Sequence, residues 1–119
     1  MKDNILGEKS YKFALRMIKL YKFMVAEHKE FVLSKQVLRS GTSIGANIEE
    51  SIHAQSKPDF IHKLSIAQKE ASETSYWIKL LRDSDYLNKK LADSLFNDCE
   101  EIQKLLTASI KTAKSNLNQ

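Results

Sequence analysis

Disulfides, turn-rich β folds and membrane spans are all hard to build from what this sequence leaves out. Among 119 residues there are one cysteine, one proline and three glycines. The lone thiol, Cys99, cannot close an internal disulfide, which fits a reducing compartment, and zinc sites made of several cysteines are excluded by count. So little Gly and Pro starves an all-β chain of turn residues and suits long uninterrupted helices. No apolar run nears the roughly 20 residues that cross a bilayer. The opening MKDNILGEKS lacks the apolar centre of a secretion signal. The expectation is a soluble, cytoplasmic chain with no membrane partner.

What is present suits one packed domain over residues 1–119. Hydrophobic residues make up 42% of the chain, enough for a core and too many for a disordered segment. The net charge of +4 is unevenly placed. Residues 8–29 hold six basic residues against Glu8 and Glu27, while the remainder has 13 of each sign. The excess therefore belongs to one element.

Helical periodicity divides the chain into four segments, about 8–28, 34–55, 57–83 and 88–116. At about 100° per residue, Ala14, Met17, Ile18, Tyr21, Met24 and Val25 share one side of the first, and Lys9, Lys12, Arg16, Lys19 and Lys22 the other. The second opens at Ser34, read as its cap, with Leu33 and Leu38 at staple spacing. Leu38, Gly41, Gly45, Ile48 and Ile52 form its seam, and two glycines there imply a neighbouring backbone at close range. The third opens at Ser56-Lys57-Pro58-Asp59, a proline-tolerant, acid-favouring first turn. Phe60, Leu64, Ala67, Ala71, Thr74, Ile78 and Leu81 then recur in alternating steps of four and three, a bundle seam. Leu91, Leu95, Cys99, Ile102, Leu106, Ile110, Ala113 and Leu117 mark the fourth, before a tail, SNLNQ, expected to fray. Four long helices with short connections predict an all-α, antiparallel up-down four-helix bundle.

The stretch Ser34–Leu87 reads SKQVLRSGTSIGANIEESIHAQSKPDFIHKLSIAQKEASETSYWIKLLRDSDYL. Its centre is Leu38-Arg39-Ser40-Gly41-Thr42-Ser43-Ile44-Gly45-Ala46-Asn47-Ile48-Glu49-Glu50, followed by Ser56-Lys57 and the Trp-bearing third segment. It resembles the bacterial four-helix-bundle family first noticed as open reading frames in intervening sequences of large-subunit ribosomal RNA genes. That family in turn is similar to the accessory variability determinant of diversity-generating retroelements. The resemblance implies a ring-like homo-oligomer, typically a pentamer. For the retroelement relative it implies binding to nucleic acid and to a reverse transcriptase through a basic surface. It implies a fold much more than an activity.

Read for function, the stripe Lys9, Lys12, Arg16, Lys19 and Lys22 is a candidate phosphate-tracking face for RNA or DNA, with Arg39 as an added contact. Lys12, Arg16 and Lys19 head that set. Its plain alternative is a solvated face on a protein-only scaffold. Leu15 and Phe23 among the lysines, and Ile66, Trp77 and Leu80 opposite the third seam, are candidate subunit-interface residues. Asn47, if buried, would fix register through a hydrogen bond. Glu50-x-x-His53 and Asp59-x-x-His62 match di-metal spacing but flank one connection, so the remote reading as a di-metal carboxylate enzyme ranks last. Ser40, Ser43, Ser51 and His53 lack any nucleophile turn or oxyanion loop. No catalytic, metal or cofactor residues are assigned, and the expected role is a non-enzymatic adaptor.

Overall fold

The structure, a computed structural model, describes residues 4–117. Four α-helices follow in order: α1 (Ile5–His28), α2 (Leu33–Ile52), α3 (Lys57–Asp83) and α4 (Lys89–Leu117). The described residues contain no strand. Helix starts are set by side chains that take up free N–H groups. Asn4 Oδ1 accepts from Gly7 N at 3.0 Å and starts α1 a turn earlier than periodicity suggested. Ser56 Oγ accepts from Asp59 N at 3.2 Å, while the Asp59 carboxylate accepts from Gln55 N at 3.2 Å. Asn88 Oδ1 accepts from Leu91 N at 2.8 Å. At the other end α4 runs through Leu117; Asn118 and Gln119 of the expected frayed tail lie outside the described residues.

The start of α2 corrects the sequence reading. Ser34 is not the cap; it sits inside the helix and its hydroxyl donates to Glu30 O at 2.8 Å. The cap is the Glu30 carboxylate, which accepts from the backbone N–H of Val32, Leu33 and Ser34 at 3.0, 2.9 and 2.8 Å. A carboxylate at this end also complements the helix dipole. The helix ends at Ile52, not residue 55, because the chain must turn before the Ser56 cap of α3.

Short connections force neighbours to run antiparallel, and the contacts follow. Ser10 lies by Gly45 but Met17 by Gly41. Glu50 meets Lys63 but Ser40 meets Thr74. Ser75 meets Cys99 but Gln68 meets Thr107. Lys9 meets Glu101 but Arg16 meets Asp98. Each helix packs on its two neighbours and not on the diagonal one, giving an up-down bundle of 52 × 24 × 21 Å.

Two seams are rotated from their expected positions. In α1 the buried line is Ser10, Phe13, Met17, Leu20 and Met24, whereas Ile18 is 40% exposed. Phe13 and Leu20 bring more apolar area to the core than Ala14 and Val25, so burial favours that face. In α2 the buried line is Val37, Gly41, Ile44 and Ile48 with Ser34, Ser40 and Ser51; Leu38 is half-buried and Ile52 exposed. Two flanking helices cover a wider sector than one seam, and its centre falls between the glycine side and the serine side. The α3 rhythm holds from Leu64 to Leu81, with Phe60 half-buried. The α4 rhythm holds from Leu95 to Ile110, with Leu91 and Ala113 half-buried and Leu117 exposed.

The α2 glycines do bring a neighbour close. A Cβ on Gly45 would stand 3.4 Å from the Ser10 carbonyl oxygen, and one on Gly41 would collide with the fully buried Met17 side chain. Across α2 and α3 the buried hydroxyls of Thr74 and Ser40 meet at 2.9 Å. Among the described residues every buried side-chain N and O has a partner.

Burial pushes the Glu30 pKa up, but the three backbone N–H bonds outweigh it and leave the group below its ordinary 4.5. A lowered carboxylate pKa stabilises the fold above that unfolded value and loses its effect as pH falls through the folded one. Glu30→Ala is therefore expected to cost about 1 kcal/mol at pH 7, the usual worth of a cap. In urea melts the gap from wild type should shrink steadily below pH 4.5; a gap that does not change with pH would remove the carboxylate from this role.

Candidate interaction surfaces

The α1 lysines and arginine divide into two groups. Lys9 Nζ lies 3.1 Å from Glu101 Oε2, and Arg16 Nη1 lies 2.6 Å from Asp98 Oδ2. Both acids project from α4, so these cations stitch the α1–α4 seam. Lys12, Lys19 and Lys22 are exposed and have no ion-pair partner among the described residues. They form the part of the predicted stripe open to an external anion. Arg39 lies elsewhere, across α2 and α3. Its guanidinium is 3.3 Å from Glu70 and 2.5 Å from Glu73. Glu73 also accepts from Trp77 Nε1 at 3.0 Å. The indole N–H and then Arg39 hold the Glu73 carboxyl below its ordinary pKa, and Glu73 chiefly raises that of Arg39.

The apolar candidates also divide. Leu15 is 47% exposed and is flanked on α1 by Tyr11 and Ile18, which periodicity had not placed outside. Phe23 is also exposed, at 40%, and lines a cleft against α4. On α3, Leu80 and Tyr76 are exposed and Trp77 and Ile66 half-buried; Tyr76 and Trp77 meet edge to face with centroids 5.3 Å apart. The outer faces of α1 and α3, diagonal in the bundle, thus each carry an apolar patch. The sequence reading missed the acids that engage Arg16, Lys9 and Arg39. Antiparallel pairing of charges would have found them, once the register was known.

It also missed a polar groove of about 630 Å³ between α3 and α4. Lys69, Lys104 and Lys111 line it with hydrogen-bonded pairs, Gln68 with Thr107 at 2.7 Å and Gln103 with Ser72 at 2.9 Å. These residues are far apart in sequence and share a surface only after packing.

Most of the groups weighed for chemistry are occupied locally. Ser43 and Ser51 hydroxyls donate to the Arg39 and Ile48 carbonyls, each at 2.6 Å, and Ser40 is buried against Thr74. Glu50 holds Lys63 at 2.8 Å, Asp59 accepts from Gln55 N just before α3 at 3.2 Å, and exposed His53 faces Glu49 at 3.8 Å. No three His, Cys, Asp or Glu residues group as metal ligands among the described residues. Asn47 does not link helices; its Nδ2 donates to Ser43 O of its own helix at 2.9 Å, so it carries no register contact. No described helix is long and apolar enough to cross a membrane.

Fold and surface together define a small up-down four-helix bundle whose distinctive residues lie on its outward faces. The chain belongs to the 23S rRNA-intervening sequence protein family, whose model matches residues 2–108. The likeness carried by Ser34–Leu87 therefore extends over nearly the whole chain. It is also similar to a crystal structure from Bacteroides thetaiotaomicron VPI-5482, a protein of unknown function from the S23 ribosomal protein family. The two share 56% identity over 90% of this chain and 99% of that one, with a TM-score of 0.89. No curated protein matches the chain.

Cys99 is fully buried on the inner face of α4, with Ser75 Oγ donating to its sulfur at 3.4 Å and its own S–H directed at Ala71 O, 3.3 Å away. Burial pushes its thiol up to about 11, only partly offset by Ser75. The nucleophile is the thiolate, so a raised pKa and burial both suppress reaction. At pH 8 iodoacetamide should alkylate the native protein at least roughly 100-fold more slowly than the urea-unfolded chain. Comparable rates in the two states would show the thiol to be accessible.

Proposed function

We propose that this protein is a non-enzymatic adaptor that assembles with copies of itself and presents its basic α1 face to RNA. The observation that carries the reading is the pair of apolar patches on diagonal helices. Leu15 with Tyr11 and Ile18 covers one face; Tyr76 and Leu80 are exposed on the opposite one, beside half-buried Ile66 and a half-buried Trp77 that also packs against the core. Exposed aromatic and aliphatic clusters of this kind belong at interfaces. Two different patches on opposite faces favour head-to-tail contact, which closes into a ring when the rotation permits. A ring repeats Lys12, Lys19 and Lys22 once per subunit, so weak phosphate contacts gain avidity. RNA is the nucleic acid to test first, because the family is described by 23S rRNA and the similar crystal structure by a ribosomal protein family. A reverse transcriptase is a further partner class that the likeness to the retroelement determinant suggests.

One observation favours a protein-only scaffold instead. Lys9, Arg16 and Arg39, half of the six predicted cationic contacts, are already held by carboxylates of the same chain. Salt separates the two readings. Fluorescence anisotropy with a structured RNA should show binding that weakens linearly with salt on log–log axes, with a slope that steepens with the number of phosphates neutralised. Lys12→Glu/Lys19→Glu/Lys22→Glu should abolish it while far-UV circular dichroism stays helical. Absence of binding even at low salt would leave the scaffold reading in place.

Assembly has its own test. Trp77→Asp puts a charge in the α3 patch, and the variant should sediment as a smaller species with unchanged helicity. An unaltered mass would take the α3 patch out of the interface.

A further inference from the structure

The α1–α4 seam is the least closely packed of the four. Beside the second half of α1 the two helices part around a cleft of about 270 Å³. Leu20, Leu91 and Leu95 form its floor, Phe23 a wall, and Arg16 and Lys19 its mouth. The wall is held in place. The Phe23 ring meets His28 edge-on at 5.4 Å between centroids, and His28 meets Tyr86 in the same way at 5.2 Å. That train ties the cleft to the connection between α3 and α4. At the mouth Lys19 has no carboxylate partner among the described residues. Arg16 spends Nη1 on Asp98, which leaves guanidinium donors free.

An apolar slot with a cationic mouth complements an apolar body with one anionic head. We propose that the cleft binds a small amphipathic carboxylate of the medium-chain fatty acid class. Its lining extends along α1 from Arg16 to Phe23, about 10 Å of helix, which is the reach of roughly an eight-carbon chain. Its volume lies just under the range of drug-sized pockets, too small for a long acyl tail. A partner helix is the wrong shape. It would need a groove open along the bundle, and the Arg16–Asp98 and Lys9–Glu101 pairs bridge the seam beyond the cleft. The inference shares Lys19 with the proposed RNA face but is separable from it through the apolar floor, which RNA does not need.

The test is an amide-shift NMR titration of the intact protein with sodium octanoate, and separately with octylammonium chloride, both below micelle-forming concentrations. Octanoate should shift Leu20, Phe23, Leu91 and Leu95 saturably, and octylammonium should not. Leu91→Trp, which fills the cleft from a half-buried position, should abolish octanoate binding and leave RNA binding intact. Lys19→Glu, on the surface, should weaken octanoate at least 10-fold. The proposal is overturned by any of four results. These are no saturable shift at those residues in the low millimolar range, equal binding of octylammonium, shifts centred on the Trp77 patch, or unchanged octanoate affinity in both variants.

Discussion

The close approach that α2 permits governs the rest of the bundle. Its inward and flanking positions are held by Ser34, Ser40, Gly41, Gly45 and Ser51, so both neighbouring helices come near its backbone. Glycine in a helix interior costs up to about 1 kcal/mol; at Gly41 added bulk would collide, and at Gly45 a Cβ would already touch the neighbouring helix. Met17 fills the space above Gly41, and the Ser10 carbonyl lies against Gly45. With α1 drawn onto α2, the α1–α4 seam is left wider. Long side chains span it, Lys9 to Glu101 and Arg16 to Asp98, and a cleft opens where they stop.

The same geometry decides how the charge excess is used. Exposed ion pairs contribute little stability, typically below about 1 kcal/mol. Their larger effect here is on what remains free. Lys9, Arg16 and Arg39 are turned toward carboxylates of adjacent helices. Lys12, Lys19 and Lys22 remain open to solvent, and so do Lys69, Lys104 and Lys111 along a different groove. A basic stripe counted along one helix is thus shorter in three dimensions, and a second cationic surface appears between two others.

Much of the fold was legible in advance. The 4-3 rhythm of α3 needs no context, because alternating steps of three and four can lie on one side of only one kind of element. Ser56 and Asp59 announce their start through local hydrogen bonding. The α1 face was less legible. Apolar residues nearly encircle that helix, from Phe13 and Leu20 through Ile18 to Leu15, and periodicity alone leaves its rotation open. The cap of α2 was missed because the capping oxygen comes from Glu30, reaching forward over several residues, where a short hydroxyl side chain was sought.

Helix number, direction and the polar–apolar division of each element follow from spacing along the chain, since those are local properties of residues three and four apart. Which side of α1 meets the core, which arginines are already paired, where Phe23 points and where two helices part all depend on how separate helices press together. These are contests between surfaces distant in sequence, settled by the total area buried and by the register of charges across a seam, and no single helix contains that information.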